Sequence, residues 1–194
     1  MKMQLQKIIE ASVFEHQNTI GTLIKNNGAE IEAAGKTCAN SLLNGGTIFW
    51  CGNGGSASES QHMATELIGR FKKNRIPLKS ISLNSDTAAL TCIANDFGYE
   101  NIFSRQLEGL GKPKDVLIVL STSGNSQNIN NALIKAKELS ISSIALLGKG
   151  GGESLGIAET VILIDSNSTA RVQESHQLIS HILCELIEAE LGYE

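Results

Sequence analysis

His62 and Glu66 stand four residues apart just behind the loop Cys51-Gly52-Asn53-Gly54-Gly55-Ser56, and Gln173 and His181 lie near the C-terminus. An imidazole and a carboxylate in mutual reach, beside a glycine-rich loop, are what a proton-shuttling enzyme acting on a phosphorylated small molecule needs. On one helix, residues at i and i+4 share a face with Cβ atoms about 6 Å apart, so this pair can exchange a proton or chelate an ion. A solvated helix contact uses the same spacing. Gln173 and His181 widen the choice: on a helix they project about 80° apart and roughly 12 Å along the axis. Two His, a Glu and a Gln amide can converge on one ion, and nitrogen and oxygen ligands without thiolate suit Zn²⁺ with an open position. His16 and His176 have no loop or acid context in the sequence and read as structural.

Two loops flank that chemistry. Gly52-Asn53-Gly54-Gly55-Ser56-Ala57 follows an apolar run and opens a helical pattern, so backbone N–H groups and a positive helix end converge above it. It also fits G-x-G-x-x-A, a dinucleotide fingerprint, but Ile81-Ser82-Leu83-Asn84 lacks the acid that would hold a ribose. The second loop, Ser121-Thr122-Ser123-Gly124-Asn125-Ser126, offers four hydroxyls around one glycine and no Walker lysine. Such a turn is either a serine-rich helix cap or a cradle for a single phosphate. Its place after a central apolar run, next to the glycine loop, favours a phosphate monoester.

The remainder of the chain must position these groups. Its 194 residues match one α/β domain, because single cores grow to roughly 250 residues before chains divide. The longest apolar run, Val116 to Leu120, is far short of the roughly 20 residues of a membrane span, so no bilayer segment is expected. Met1 to Lys7 lacks the apolar core of a secretory signal, which predicts a cytoplasmic protein. Cys38, Cys51, Cys92 and Cys184 are scattered without C-x-x-C spacing and read as buried thiols. A net charge of −4 without a basic tract argues against nucleic acid as the ligand.

Residues 4 to 43 read as two helices with a break at Asn26-Asn27-Gly28. Beyond Asn44-Gly45-Gly46, short apolar runs predict strands at 47–51, 79–83, 115–120, 143–147 and 160–164. Helical patterns separate them at 56–70, 86–95, 128–139, 153–158 and 171–191. On the first of these, Met63, Leu67 and Ile68 read as core; on the last, Leu178, Ile179, Ile182, Leu183, Leu186 and Ile187 do. Apolar strands alternating with helices predict a doubly wound, flavodoxin-like five-stranded parallel sheet with two extra N-terminal helices. Ligands in such sheets sit at the carboxyl ends of the strands near the switch point, where both loops fall. The extra helices present an apolar face that predicts an oligomer interface, the alternative being that they pack on their own sheet.

Cys51 to Arg70, Ala94-Asn95-Asp96-Phe97-Gly98, Ser121 to Ser126 and Ala170-Arg171-Val172-Gln173-Glu174 through His181 together resemble the sugar isomerase (SIS) domain family, specifically its phosphoheptose isomerases. The resemblance covers essentially the whole chain and implies a single SIS domain over residues 1–194, with residues 4–43 as a helical oligomerisation segment. It implies a cytoplasmic homotetramer that converts sedoheptulose 7-phosphate to D-glycero-D-manno-heptose 7-phosphate on the route to the ADP-heptose of lipopolysaccharide. The phosphate contacts fall on Ser121, Thr122, Ser123 and Ser126, with Ser56 nearby. Other substrate contacts fall on Asn53, Gly54, Gly55, Glu66, Asn95, Asp96 and Gln173, and the acid/base pair on Glu66 and His181. One zinc ion per subunit is implied, with ligands at His62, Glu66, Gln173 and His181. Ala170 departs from members that carry an acid there. SIS domains also occur as non-catalytic modules, including a tetrameric protein that associates with the bacterial replication initiator. That protein lacks the acid/base pair which this chain retains.

Overall fold

The structure is a computed structural model that describes residues 2–193. Helices α1 (Lys2–Gly21) and α2 (Leu23–Leu43) lead into β1 (Ile48–Gly52), α3 (Gly55–Ile68), β2 (Ser80–Ser82) and α4 (Thr87–Phe97). There follow α5 (Ser104–Leu110), β3 (Val116–Ser121), α6 (Gln127–Glu138), β4 (Ser142–Leu147), β5 (Thr160–Leu163) and α7 (Thr169–Glu190). The five strands are all parallel in the order β2-β1-β3-β4-β5. The chain therefore reverses direction across the sheet between β1 and β3, which creates the crevice that the two loops border.

Alternation along the strands divides the core into two layers. Ile48, Trp50, Ile118, Leu120, Ile144 and Leu146 face Ile31 of α2, Met63 and Leu67 of α3, and Ile179 and Leu183 of α7. Phe49, Cys51, Leu117, Val119, Ala145 and Leu147 face Phe103, Leu107 of α5, and Ile129 and Leu133 of α6. Because both faces are covered, the central strands are buried at every position, which is why they read as unbroken apolar runs. Trp50 satisfies its buried indole N–H on Ser80 Oγ at 3.0 Å.

Several expectations need correction. The first two helices part at Thr22, and α2 runs straight through Asn26-Asn27-Gly28. Asn27 is buried and its amide donates to the Leu163 carbonyl at 3.1 Å, a tertiary bond that offsets its weak helix propensity. Helix α2 packs on its own sheet and leaves only Ile24 and Leu43 exposed at its ends, whereas α1 exposes a row of apolar side chains: Leu5, Ile8, Ile9, Val13 and Phe14. The helix expected at 153–158 is a single 3₁₀ turn, Glu153–Gly156, and α5 was not foreseen. Ile68 and Leu178, expected in the core, are exposed, and so is Cys92, while the other three thiols are buried. No helix among the described residues is long and apolar enough to cross a membrane.

Candidate active site

Glycine loop and hydroxyl loop meet across the switch point. Gly54 adopts φ 58° and ψ −120°, a conformation open to glycine alone, and it caps α3 without any side-chain acceptor. The next glycine makes room for a partner, since a Cβ on Gly55 would lie 2.9 Å from Gln173 Nε2. Asn53 is held in a reciprocal amide pair with Asn128, each donating to the other at 2.9 Å, and Tyr99 donates to it at 3.1 Å.

In the hydroxyl loop, Ser121 Oγ accepts from Gly124 N–H at 3.0 Å and Ser123 Oγ accepts from Asn125 N–H at 3.2 Å. Gly124 has φ +63°, and a side chain there would overlap the Gly151 carbonyl. Ser126 precedes α6 but makes no capping bond, which leaves its hydroxyl for a ligand. Ser121, Thr122, Ser123 and Ser126 join Asn53, Ser56 and Gln173 around a small cavity of about 60 Å³. Ser56 and Gln173 also line an adjoining cavity of about 280 Å³ with Gly55, Glu59, Ala170 and His176. Neither lining holds a lysine or arginine, so an anion there is gripped by hydroxyl and N–H dipoles.

Helices α3 and α7 bring the titratable groups together. His62 Nε2 lies 3.1 Å from Glu66 Oε1, and both side chains are partly buried. His181 presents its ring to His62 edge-on, with centroids 5.2 Å apart, and stacks on Phe71 at 5.4 Å with an interplanar angle of 8°. One ligand atom from each of His62, Glu66 and His181 falls within a 4.8 Å span. Two nitrogens and one oxygen in that span fit a zinc ion with room for further ligands. Gln173, two turns before His181 on α7, stands at the junction of the two cavities.

Beneath this group Arg75, fully buried, donates to the Glu66 and Leu67 carbonyls at 2.9 Å each and to Glu188 Oε1 at 2.8 Å. It thereby ties the end of α3 to α7. Asn95 and Asp96 are exposed on α4, bond to each other at 2.7 Å, and line neither cavity. The single chain does not bring them to the site.

Glu59, Phe71, Arg75 and Tyr99 were not singled out from the sequence. Glu59 carried a readable signal, since it lies one turn before His62 and so on the same helical face. His16 is not isolated: its Nδ1 lies 2.7 Å from Glu174 Oε2, joining α1 to α7. His176 is buried against the larger cavity, and burial pushes its pKa down to about 4.

The chain is similar in sequence and fold to known proteins. The family model "SIS domain" matches residues 14–148. The phosphoheptose isomerase of Sulfurimonas denitrificans is 44% identical over 193 residues, spanning 98% of this chain and 95% of that one. The phosphoheptose isomerase of Akkermansia muciniphila is 48% identical over 162 residues, or 84% of this chain and 86% of that one. Among solved structures, the phosphoheptose isomerase from Neisseria gonorrhoeae superimposes with a TM-score of 0.90 at 36% identity, covering 95% of this chain and 99% of the other. The chain is a SIS-domain protein and belongs to the phosphoheptose isomerase family.

Proposed function

We propose that this protein is an aldose–ketose isomerase that converts sedoheptulose 7-phosphate to D-glycero-D-manno-heptose 7-phosphate through an enediol, the opening step toward ADP-heptose. The observation that carries this reading is the meeting of Glu66 and His181, from separate helices, beside a cavity walled by hydroxyls.

In the reaction, Ser121, Thr122, Ser123 and Ser126 grip the phosphate, and Asn53, Gly54, Gly55 and Ser56 bind the chain next to it. Holding that end fixes the position of C1 and C2, which converts a chance encounter into an oriented one. Glu66 removes a proton from C1 as His181 delivers one to the C2 oxygen, which gives the enediol. Glu66 then returns a proton to C2 while the C1 oxygen gives up its own through His181, leaving the aldehyde. His181 also assists opening of the sugar ring. Phe71 stacked on His181 restricts how that ring can turn.

Zinc, one ion per subunit, would be held by His62, Glu66, Gln173 and His181, and when bound it polarises the substrate oxygens. The coincidence of His62, Glu66 and His181 supports this set. The apolar row on α1 supports a homotetramer assembled through the N-terminal segment, residues 4–43. Helix α4, with no buried residue in the single chain, supports Asn95 and Asp96 reaching the sugar of a neighbouring subunit. The family resemblance supports a cytoplasmic enzyme, and a net charge of −4 without a basic tract supports a sugar phosphate rather than nucleic acid as the ligand.

Incubation of the purified protein with sedoheptulose 7-phosphate, with and without added Zn²⁺, should yield the aldose isomer, faster with the metal. A zinc-loaded protein that forms no aldose removes this reading.

A further inference from the structure

Glu59 is a carboxylate for which the reaction above has no use. Its side chain is only 14% exposed and lines the larger cavity. Oε1 is buried and finds no hydrogen-bond donor among the described residues. Oε2 lies 3.6 Å from His62 Nδ1, while the other nitrogen of that ring is 3.1 Å from Glu66 Oε1. One imidazole thus sits between two acids of the same helix, one on each ring nitrogen.

A buried carboxylate without a donor is costly, so a residue of this kind persists where something donates to it. The group placed to donate to the carboxylate, at its Oε2, is His62 Nδ1. Its 3.6 Å separation is a small side-chain adjustment away from an N–H···O bond, which forms at roughly 3.2 Å or less. A neutral imidazole carries one N–H, so a proton fixed on Nδ1 leaves Nε2 bare. The bare nitrogen then faces Glu66, where a cation would be ligated.

We propose that Glu59 is a positioning residue, acting through His62: it selects the Nδ1–H tautomer, turns Nε2 toward Glu66 and His181, and strengthens metal binding by that set. The inference rests on the metal site put forward above. It also adds negative charge one layer behind a site whose own ligands include a single carboxylate.

The test is zinc affinity by competition with a chromophoric chelator, in wild type, Glu59→Gln and Glu59→Ala. Loss of such a partner typically weakens metal binding by roughly 10- to 100-fold. Glu59→Ala should show that loss, and Glu59→Gln, whose amide oxygen still accepts a bond, should fall between. In the zinc-free state both variants should be about as stable as wild type, because Oε1 has no donor and Glu59 serves only to orient His62. A merely structural role predicts a loss of stability with zinc affinity unchanged. Zinc affinity within threefold of wild type in both variants, with a raised KM for sugar phosphate, would make Glu59 a substrate contact and overturn the proposal. Wild-type protein that binds no zinc overturns it together with the metal reading, whereas unchanged affinity in the variants overturns the Glu59 role alone.

Discussion

Glu66 and His181 belong to helices that are remote in sequence, yet a carboxylate oxygen of one and a ring nitrogen of the other come within 4.8 Å. Neither helix achieves this alone. Arg75 fastens the C-terminal end of α3 to α7 through Glu188, and Phe71 stacks on the His181 ring.

That fastening predicts a stability effect. Arg75→Met should lower the unfolding free energy by roughly 3–5 kcal/mol, because Glu188 is left buried without its cation. Replacing both partners, Arg75→Met with Glu188→Leu, should recover much of the loss. Urea unfolding midpoints measure both, and a single-variant loss below about 1 kcal/mol would show that the pair does not hold the helices.

A second prediction concerns the hydroxyl loop. Gly124→Ala forces a side chain into a positive-φ position against the Gly151 carbonyl, so the loop must shift. Affinity for inorganic phosphate, measured by calorimetry, should fall at least about tenfold, equivalent to roughly 1.4 kcal/mol. Unchanged phosphate binding would mean that the anion sits elsewhere.

Much of this layout is legible in the chain itself. Apolar runs marked the strands because both sheet faces are covered, and the loops after β1 and β3 were recognisable because glycine and hydroxyl residues interrupt those runs. The i, i+4 spacing placed His62 and Glu66 on one face. What the sequence withheld depends on tertiary partners: Asn27 looked like a helix break until its bond to Leu163 supplied a reason to stay helical. Ile68 and Leu178 fit an apolar stripe yet lie at its exposed margin. Nothing in the sequence distinguishes Arg75 from a surface cation, and only its contacts with Glu188 and two α3 carbonyls mark it as internal.

His176 predicts the pH dependence of stability. Burial holds its folded pKa at about 4 against an ordinary 6.5, with the Leu147 carbonyl opposing the shift. The unfolded chain binds that proton more readily, so stability is intact above pH 6.5 and falls as pH drops toward 4. The slope contributed is at most roughly 1.4 kcal/mol per pH unit. Unfolding midpoints of His176→Leu should decline less than those of wild type between pH 7 and pH 5, and parallel declines would assign the acid sensitivity to other groups.

The apolar row on α1 predicts an assembly defect. Ile9→Asp places a charge among Leu5, Ile8, Val13 and Phe14, all exposed in the single chain. Light scattering after size exclusion should show a smaller particle than wild type. An unchanged mass would move the interface away from α1.

The most direct measurement is isotope exchange in D₂O with sedoheptulose 7-phosphate, followed by NMR of the sugar carbons. Zinc-loaded wild type should give aldose phosphate carrying solvent deuterium at C2, and Glu66→Gln should bind substrate with similar affinity while exchange and turnover fall by roughly 10² or more. Wild-type exchange rates in Glu66→Gln would contradict the assignment of the carbon-bound proton to this carboxylate.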